Sequence, residues 1–367
     1  MNGRERFLRT MHHQSVDRAP MIEVGYWAEA QERWLREGMP EEARRKDTLT
    51  FNGCAFFGLD EQRDLGLNLG MIPSFEPELL VEDERTITRR NGEGVVQRCM
   101  KDGVSMPQYV AWPVTERADF ERIKRRYDPH QPERYPADWD ELVAWAPQRE
   151  CPLWGPGIGS VGFYSMLRRW MGTENACTVF YDDPALAEEM LDVVAEFTLG
   201  AMARTLEQVQ LDYFLWWEDF AFKNGPLISP AIFQRFLLPR YRRVNDVFRR
   251  HGIDIIFLDS DGDPSVLLPM LLEAGVNGTY PIEAAAGMDP VALRREYGRD
   301  LLLWGGVDKR ALTKDRRTIT EELESKLPPL LADGGYIPQL DHLAPPDISY
   351  ENWLFYLDLK RRLLERG

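Results

Sequence analysis

Histidine and cysteine are scarce in this chain, five and four among 367 residues. Cys54, Cys99, Cys151 and Cys177 stand singly, without a CxxC pair, so a disulfide framework is excluded and four free thiols in a reducing cytoplasm are expected. Long apolar runs are missing too. No stretch approaches the roughly 20 uninterrupted apolar residues of a membrane span. Met1-Asn2-Gly3-Arg4-Glu5-Arg6 leads into mixed charge instead of the apolar centre of a signal peptide, which makes a cytoplasmic, membrane-free protein the expectation. Positive charge is also short. A net charge of −15 repels nucleic acid and anionic lipid, and the one basic run, Lys124-Arg125-Arg126, lies between Glu121 and Asp128 and reads as a solvated face.

Hydrophobic residues, at 44% of the chain, suffice for a large core. From about Cys151 short apolar strands alternate with amphipathic helices, the rhythm of βαβ units and a parallel sheet. The predicted strands are 212–217, 254–258, 278–281, 301–304 and 335–338. Asp183-Pro184, Ser229-Pro230, Asp263-Pro264 and Asp289-Pro290 each put a capping side chain before a proline suited to the first helical turn. A last helix should follow Ser349. The first 150 residues are less regular: helices over 4–12 and 27–36, a first strand over 19–24, and hairpins over 78–100 with a tight Asn91-Gly92 turn. No linker, low-complexity segment or repeat beyond this rhythm occurs, so one domain over 1–367 is expected.

The stretch from Ile253 to Pro264 holds most chemical information. An apolar strand ends in Asp259, Ser260, Asp261, Gly262 and Asp263. Side chains after such a strand project into the mouth of an α/β fold. Carboxylates held close there need a cation, a shared proton or a basic substrate group. Asp263 reads as the cap of the following helix, which explains neither Asp259 nor Asp261. Glu218 and Asp219, at another strand end, divide between general acid–base work and satisfying loop N–H groups. Trp217, Glu283 and Asp308 are further candidate cleft residues. Trp154-Gly155-Pro156-Gly157-Ile158-Gly159-Ser160 lacks the lysine of a phosphate loop and reads as a turn lining the cleft. His12 and His13 read as surface residues, and His130 and His251 as structural ones.

In order along the chain, Arg4-Glu5-Arg6-Phe7, Asp17-Arg18-Ala19-Pro20, Tyr181-Asp182-Asp183-Pro184, Lys223 to Pro230, Asp259-Ser260-Asp261-Gly262, Trp304-Gly305-Gly306-Val307-Asp308 and Asp341-His342 form a series. It resembles the uroporphyrinogen decarboxylase superfamily, which includes cobalamin-dependent methyltransferases that use zinc to activate a thiol. The resemblance implies a single (βα)8 TIM barrel with an elaborated N-terminal half, its cleft at the C-terminal strand ends, and a homodimer. The decarboxylases clamp porphyrinogen carboxylates with arginines after the first strand. Here Glu23-Val24-Gly25-Tyr26-Trp27 stands there, with no guanidinium, and Tyr26 becomes a candidate substrate contact. The family's catalytic aspartate pattern is not found in Phe51 to Gly58.

The resemblance to the methyltransferases places Asp259, Asp261 and His342, with Asp341 as a one-residue alternative, where the thiol-activating enzymes carry metal ligands. A divalent metal, zinc foremost, is therefore expected on Asp259, Asp261 and His342, with Glu218, Asp219 and His342 as catalytic candidates. The implied reaction is methyl transfer between a small methylated substrate and a corrinoid on a carrier protein. The alternatives are decarboxylation of a porphyrinogen or smaller carboxylate, with His342 donating a proton, and a non-catalytic protein that holds a corrinoid or tetrapyrrole.

Overall fold

The computed structural model describes residues 1–101, 107–157 and 159–365. Seven parallel strands form, all but the charged first one from mainly apolar runs: β1 (Arg63–Asp64), β2 (Leu153–Gly155), β3 (Tyr213–Trp217), β4 (Ile256–Asp259), β5 (Gly278–Tyr280), β6 (Leu302–Trp304) and β7 (Tyr336–Ile337). They lie side by side in chain order, as βαβ connections require. The expected strands after Cys151 are all present. No helix among the described residues is long and apolar enough to cross a membrane, and the four cysteines are free.

The structure is an α/β fold whose seven-stranded sheet is not closed by an eighth ladder among the described residues. The predicted strand 19–24 is buried, yet its carbonyls bond to loops and a side chain. Met21 accepts from the Asp60 N–H (2.8 Å), Val24 from that of Thr50 (2.9 Å), and Ile22 from Lys360 Nζ (2.8 Å). Only isolated bridges form, Gly25 with Leu49 and Tyr26 with Ala344.

Side-chain alternation divides each strand between two cores. Tyr213, Leu215, Ile255, Phe257, Tyr280, Leu302, Trp304 and Ile337 form an inner cluster with Phe7 and Met11 of the first helix. Their neighbours Phe214, Trp216, Ile256, Leu258, Leu303 and Tyr336 belong to the outer core beneath the helices. The inner cluster is filled with rings: Trp154 stacks on Tyr213 at 5.5 Å and Phe51 on Trp304 at 4.9 Å. Its polar tips are satisfied, Tyr213 Oη on Gln62 (2.8 Å) and Trp304 Nε1 on Gln339 (3.0 Å). The floor beneath the strand ends is therefore apolar and filled by rings.

Asp183, Ser229, Asp289 and Ser349 accept first-turn N–H groups and start their helices as expected. After Asp263-Pro264 a 3-10 turn, Ser265–Leu267, precedes the short helix Leu268–Glu273. The N-terminal hairpins belong to a four-stranded antiparallel sheet (Glu78–Glu82, Thr86–Arg90, Val96–Met100, Gln108–Ala111), whose last strand escaped the sequence reading. The Asn91-Gly92 turn is not a two-residue turn. Asn91 Oδ1 accepts from the Glu93 and Val95 N–H groups and rounds off a longer loop over 91–95.

Candidate active site at the strand ends

Asp259 closes β4 with the parity of Ile255 and Phe257, so its side chain stands in the mouth on top of the aromatic floor. It is 9% exposed. Among the described residues its carboxyl oxygens have no hydrogen-bond partner. Burial, then Asp261 and Asp219, hold its proton well above the usual carboxylate range. Asp261, on the same loop, is also raised by burial, with His342 pulling the other way. His342 Nε2 lies 3.8 Å from Asp261 Oδ2, and both side chains are reached by solvent, at 36% and 44% exposure. Burial and neighbouring carboxylates thus raise both acids, Asp261 against the pull of His342.

The neighbouring loops fix this pair. Glu283 accepts from the Gly262 N–H (2.9 Å). It follows Ile282, a β-branched residue at φ +62°, a strained setting of the kind found at functional sites. Asp341 is fully buried and accepts from the N–H groups of Ala284 (3.0 Å) and Lys309 (3.1 Å), with Lys309 Nζ at 3.6 Å. It ties the loops after β5, β6 and β7 together. Asp219 is paired with Arg168 (2.8 Å), and its N–H donates to the Ser165 hydroxyl oxygen (2.8 Å). Asp308 is forked by Arg310, at 2.9 and 2.7 Å. Asp263 accepts from the Ser265 N–H (2.9 Å) and so holds the start of the 3-10 turn, where a helix opened by Pro264 was expected.

Two candidates lie elsewhere. Glu218 has the opposite parity to Asp259 and is fully buried toward the helical layer. Its oxygens accept from the N–H groups of Phe163, Tyr164 (3.2 Å) and Ser165 (3.0 Å) and from the Tyr241 hydroxyl. Burial pushes it up to about 7 against those bonds. It caps the helix Phe163–Asp182 and has no face on the cleft, so satisfying N–H groups is the role observed. Tyr26, expected to touch substrate, is also buried completely, among Trp34, Phe57 and Trp353. The cause is Gly25 at φ +139°, where a Cβ would come within 2.3 Å of the Thr48 carbonyl. That turn breaks the alternation of Ile22 and Val24, which face the inner cluster, and sends Tyr26 outward.

The expected metal set does not fit. Among the described residues no three His, Cys, Asp or Glu side chains converge so as to hold an ion. His342 reaches Asp261 alone, while Asp259 lies deeper. The sequence reading also missed Lys309, Arg168 and Arg169. The latter two follow the glycine-rich turn after β2, of which Ile158 lies outside the described residues. Arg169 donates to the Gly159 and Ser160 carbonyls and stacks on Trp217, its carbon centre 4.3 Å from the ring.

A family model described as uroporphyrinogen decarboxylase (URO-D) matches residues 98–363. No curated protein matches the chain. Among solved structures, a methyltransferase from Methanosarcina mazei is similar to it at 15% identity, with a TM-score of 0.63 over 99% of each chain. At that identity the likeness is one of fold.

Proposed function

Because the chain belongs to the uroporphyrinogen decarboxylase family, we propose that it moves a methyl group between a small methylated substrate and a corrinoid carried by a partner protein, with Asp259 as proton donor. The observation that carries this reading is Asp259, a buried residue above an aromatic floor whose carboxyl has no hydrogen-bond partner among the described residues. When a methyl–heteroatom bond breaks, its electron pair stays on the heteroatom, which becomes strongly basic. A neutral carboxyl within reach supplies the proton that makes it a leaving group. Asp261 and His342, at the solvent edge, would return a proton to Asp259 between turnovers. A corrinoid, when bound, supplies the methyl acceptor. The exposure of Asp261 and His342 leaves the mouth open to a group brought by another protein.

The same proton would serve a decarboxylation. Methyl transfer is favoured because Glu23–Trp27 has no guanidinium with which to clamp several carboxylates. Glu23 is spent on a buried ion pair with Lys360 (2.6 Å), and Tyr26 lies in the core. Among the described residues the candidate metal donors do not converge.

The test is incubation of the full chain with methylcobalamin and panels of methoxylated compounds and methylamines, followed by the cobalamin spectrum. Methyl transfer in the wild type, lost in Asp259→Asn, is expected. Release of carbon dioxide from a porphyrinogen without any methyl transfer would reverse the assignment.

A further inference from the structure

Next to the mouth, between the antiparallel sheet and the helix Phe163–Asp182, lies a cavity of about 270 Å3. Its walls include Glu93 from the loop over 91–95, Tyr109 and Trp112 from the last antiparallel strand and the residue beyond it, Trp217 from the end of β3, and Arg168 and Arg169 from the helix. Trp217 belongs to both places. It is the register partner of Asp259 and shares its inward parity, so one face of the strand end borders the acid and the cavity.

The lining specifies a chemistry. Three rings offer flat apolar walls. Arg168 is neutralised by Asp219, whose carbonyl and carboxylate it binds. Arg169 is paired only loosely: two backbone carbonyls use part of its five donors, and its ion pair with Glu93, which shares the cavity wall, is long at 4.0 Å with the glutamate half exposed. Its plane lies over Trp217 and presents the remaining edge to a carboxylate or similar anion. Size narrows the choice further. An apolar cavity of about 150 Å3 admits benzene, so this one has room for a single substituted ring. Trp112 is set firmly, since its indole fills the notch at Gly172, where a Cβ would come within 2.7 Å.

We infer that this cavity is the specificity pocket for a substrate built on one planar ring that carries an anionic group. Arg169 takes the anion, Trp217, Trp112 and Tyr109 hold the ring, and the methyl-bearing substituent faces Asp259. The assignment of the methyl-bearing end rests on the proposed methyl transfer; the pocket itself does not.

The experiment is calorimetric titration of the full chain with 3-methoxybenzoate, with methoxybenzene and with methoxyacetate, beside assays of methyl transfer. The ring with its carboxylate should bind about tenfold more tightly than either partial ligand. Arg169→Gln should bring methoxybenzoate and methoxybenzene to within about threefold of each other. Tyr109→Ala, on an exposed edge strand where folding is not at stake, should weaken both ring ligands by about fivefold. Equal wild-type binding of the charged and neutral rings, or an unchanged preference in Arg169→Gln, overturns the pocket. Selective binding without methyl transfer leaves the pocket standing and removes the proposed function. Methyl transfer with no preference for a charged ring does the reverse.

Discussion

Neighbouring strands β3 and β4 each lead into a buried acid, and the two acids have opposite fates. Glu218 collects four donors at the start of a helix, while Asp259 has none among the described residues. In sequence they look alike, an acid directly after an aromatic or leucine run. Parity separates them. Asp259 pairs in register with Trp217, so Glu218, one residue further, must face the other side. The Glu218 N–H donates to the Asp259 carbonyl (2.7 Å), which locks the two settings to each other. A buried carboxylate that collects donors serves as a cap, and one without them above an apolar floor is a held acid.

The sharpest way to break this contrast is to remove each acid's chemistry without its shape. Asp259→Asn should lower turnover by about a thousandfold, the usual range for a general acid, and leave the fold intact. Glu218→Gln should change turnover by less than about tenfold. Comparable losses in both would mean that Glu218 reaches the substrate after all.

Removing the side chains altogether should invert the ranking on stability. Glu218→Ala orphans three N–H groups and a tyrosine hydroxyl in the interior, at a cost of about 3 kcal/mol, read as a lower urea midpoint. Asp259→Ala removes a group with no bonds to lose and should cost far less.

A gentler probe uses pH. The folded chain holds the Asp259 proton above the range of the unfolded chain, so the native state binds more protons between the two values and is weakened as pH rises through that window. Asp259→Asn should therefore be more stable than wild type at neutral pH. The gain should shrink as pH falls toward about 4 and vanish below it, where both wild-type states are protonated. A gain independent of pH would show that Asp259 is ionised in the fold or gains from packing alone.

The sequence was readable where one signal decided the outcome. Apolar runs marked the strands after Cys151, and a capping residue before proline marked helix starts at Asp183, Ser229 and Asp289. It was unreadable where two distant elements decide together. Glu218 becomes a cap only because the helix at Phe163 arrives against it, and Tyr26 leaves the mouth because Gly25 turns against Thr48. The pocket walls come from residues 109, 112, 169 and 217, which no local pattern links. Arg168-Arg169 after a glycine-rich turn was the one local hint.

The smallest expected effect concerns the third acid of the loop. Asp263 faces away from the pair: its carboxylate accepts from the Ser265 N–H, and its own N–H donates to the Phe222 carbonyl (3.0 Å). Asp263→Ala loses a capping bond at the start of a 3-10 turn and should cost about 1 kcal/mol, read as a small drop in melting temperature. Its turnover should match wild type, because the backbone bond that sets the loop survives the substitution. Asp263→Asn, which keeps an accepting oxygen, should recover most of the loss. If Asp263→Ala instead lowered turnover as far as Asp259→Asn does, the loop would be acting as a single unit. The division of the three acids into a proton donor, its partner and a cap would then fail.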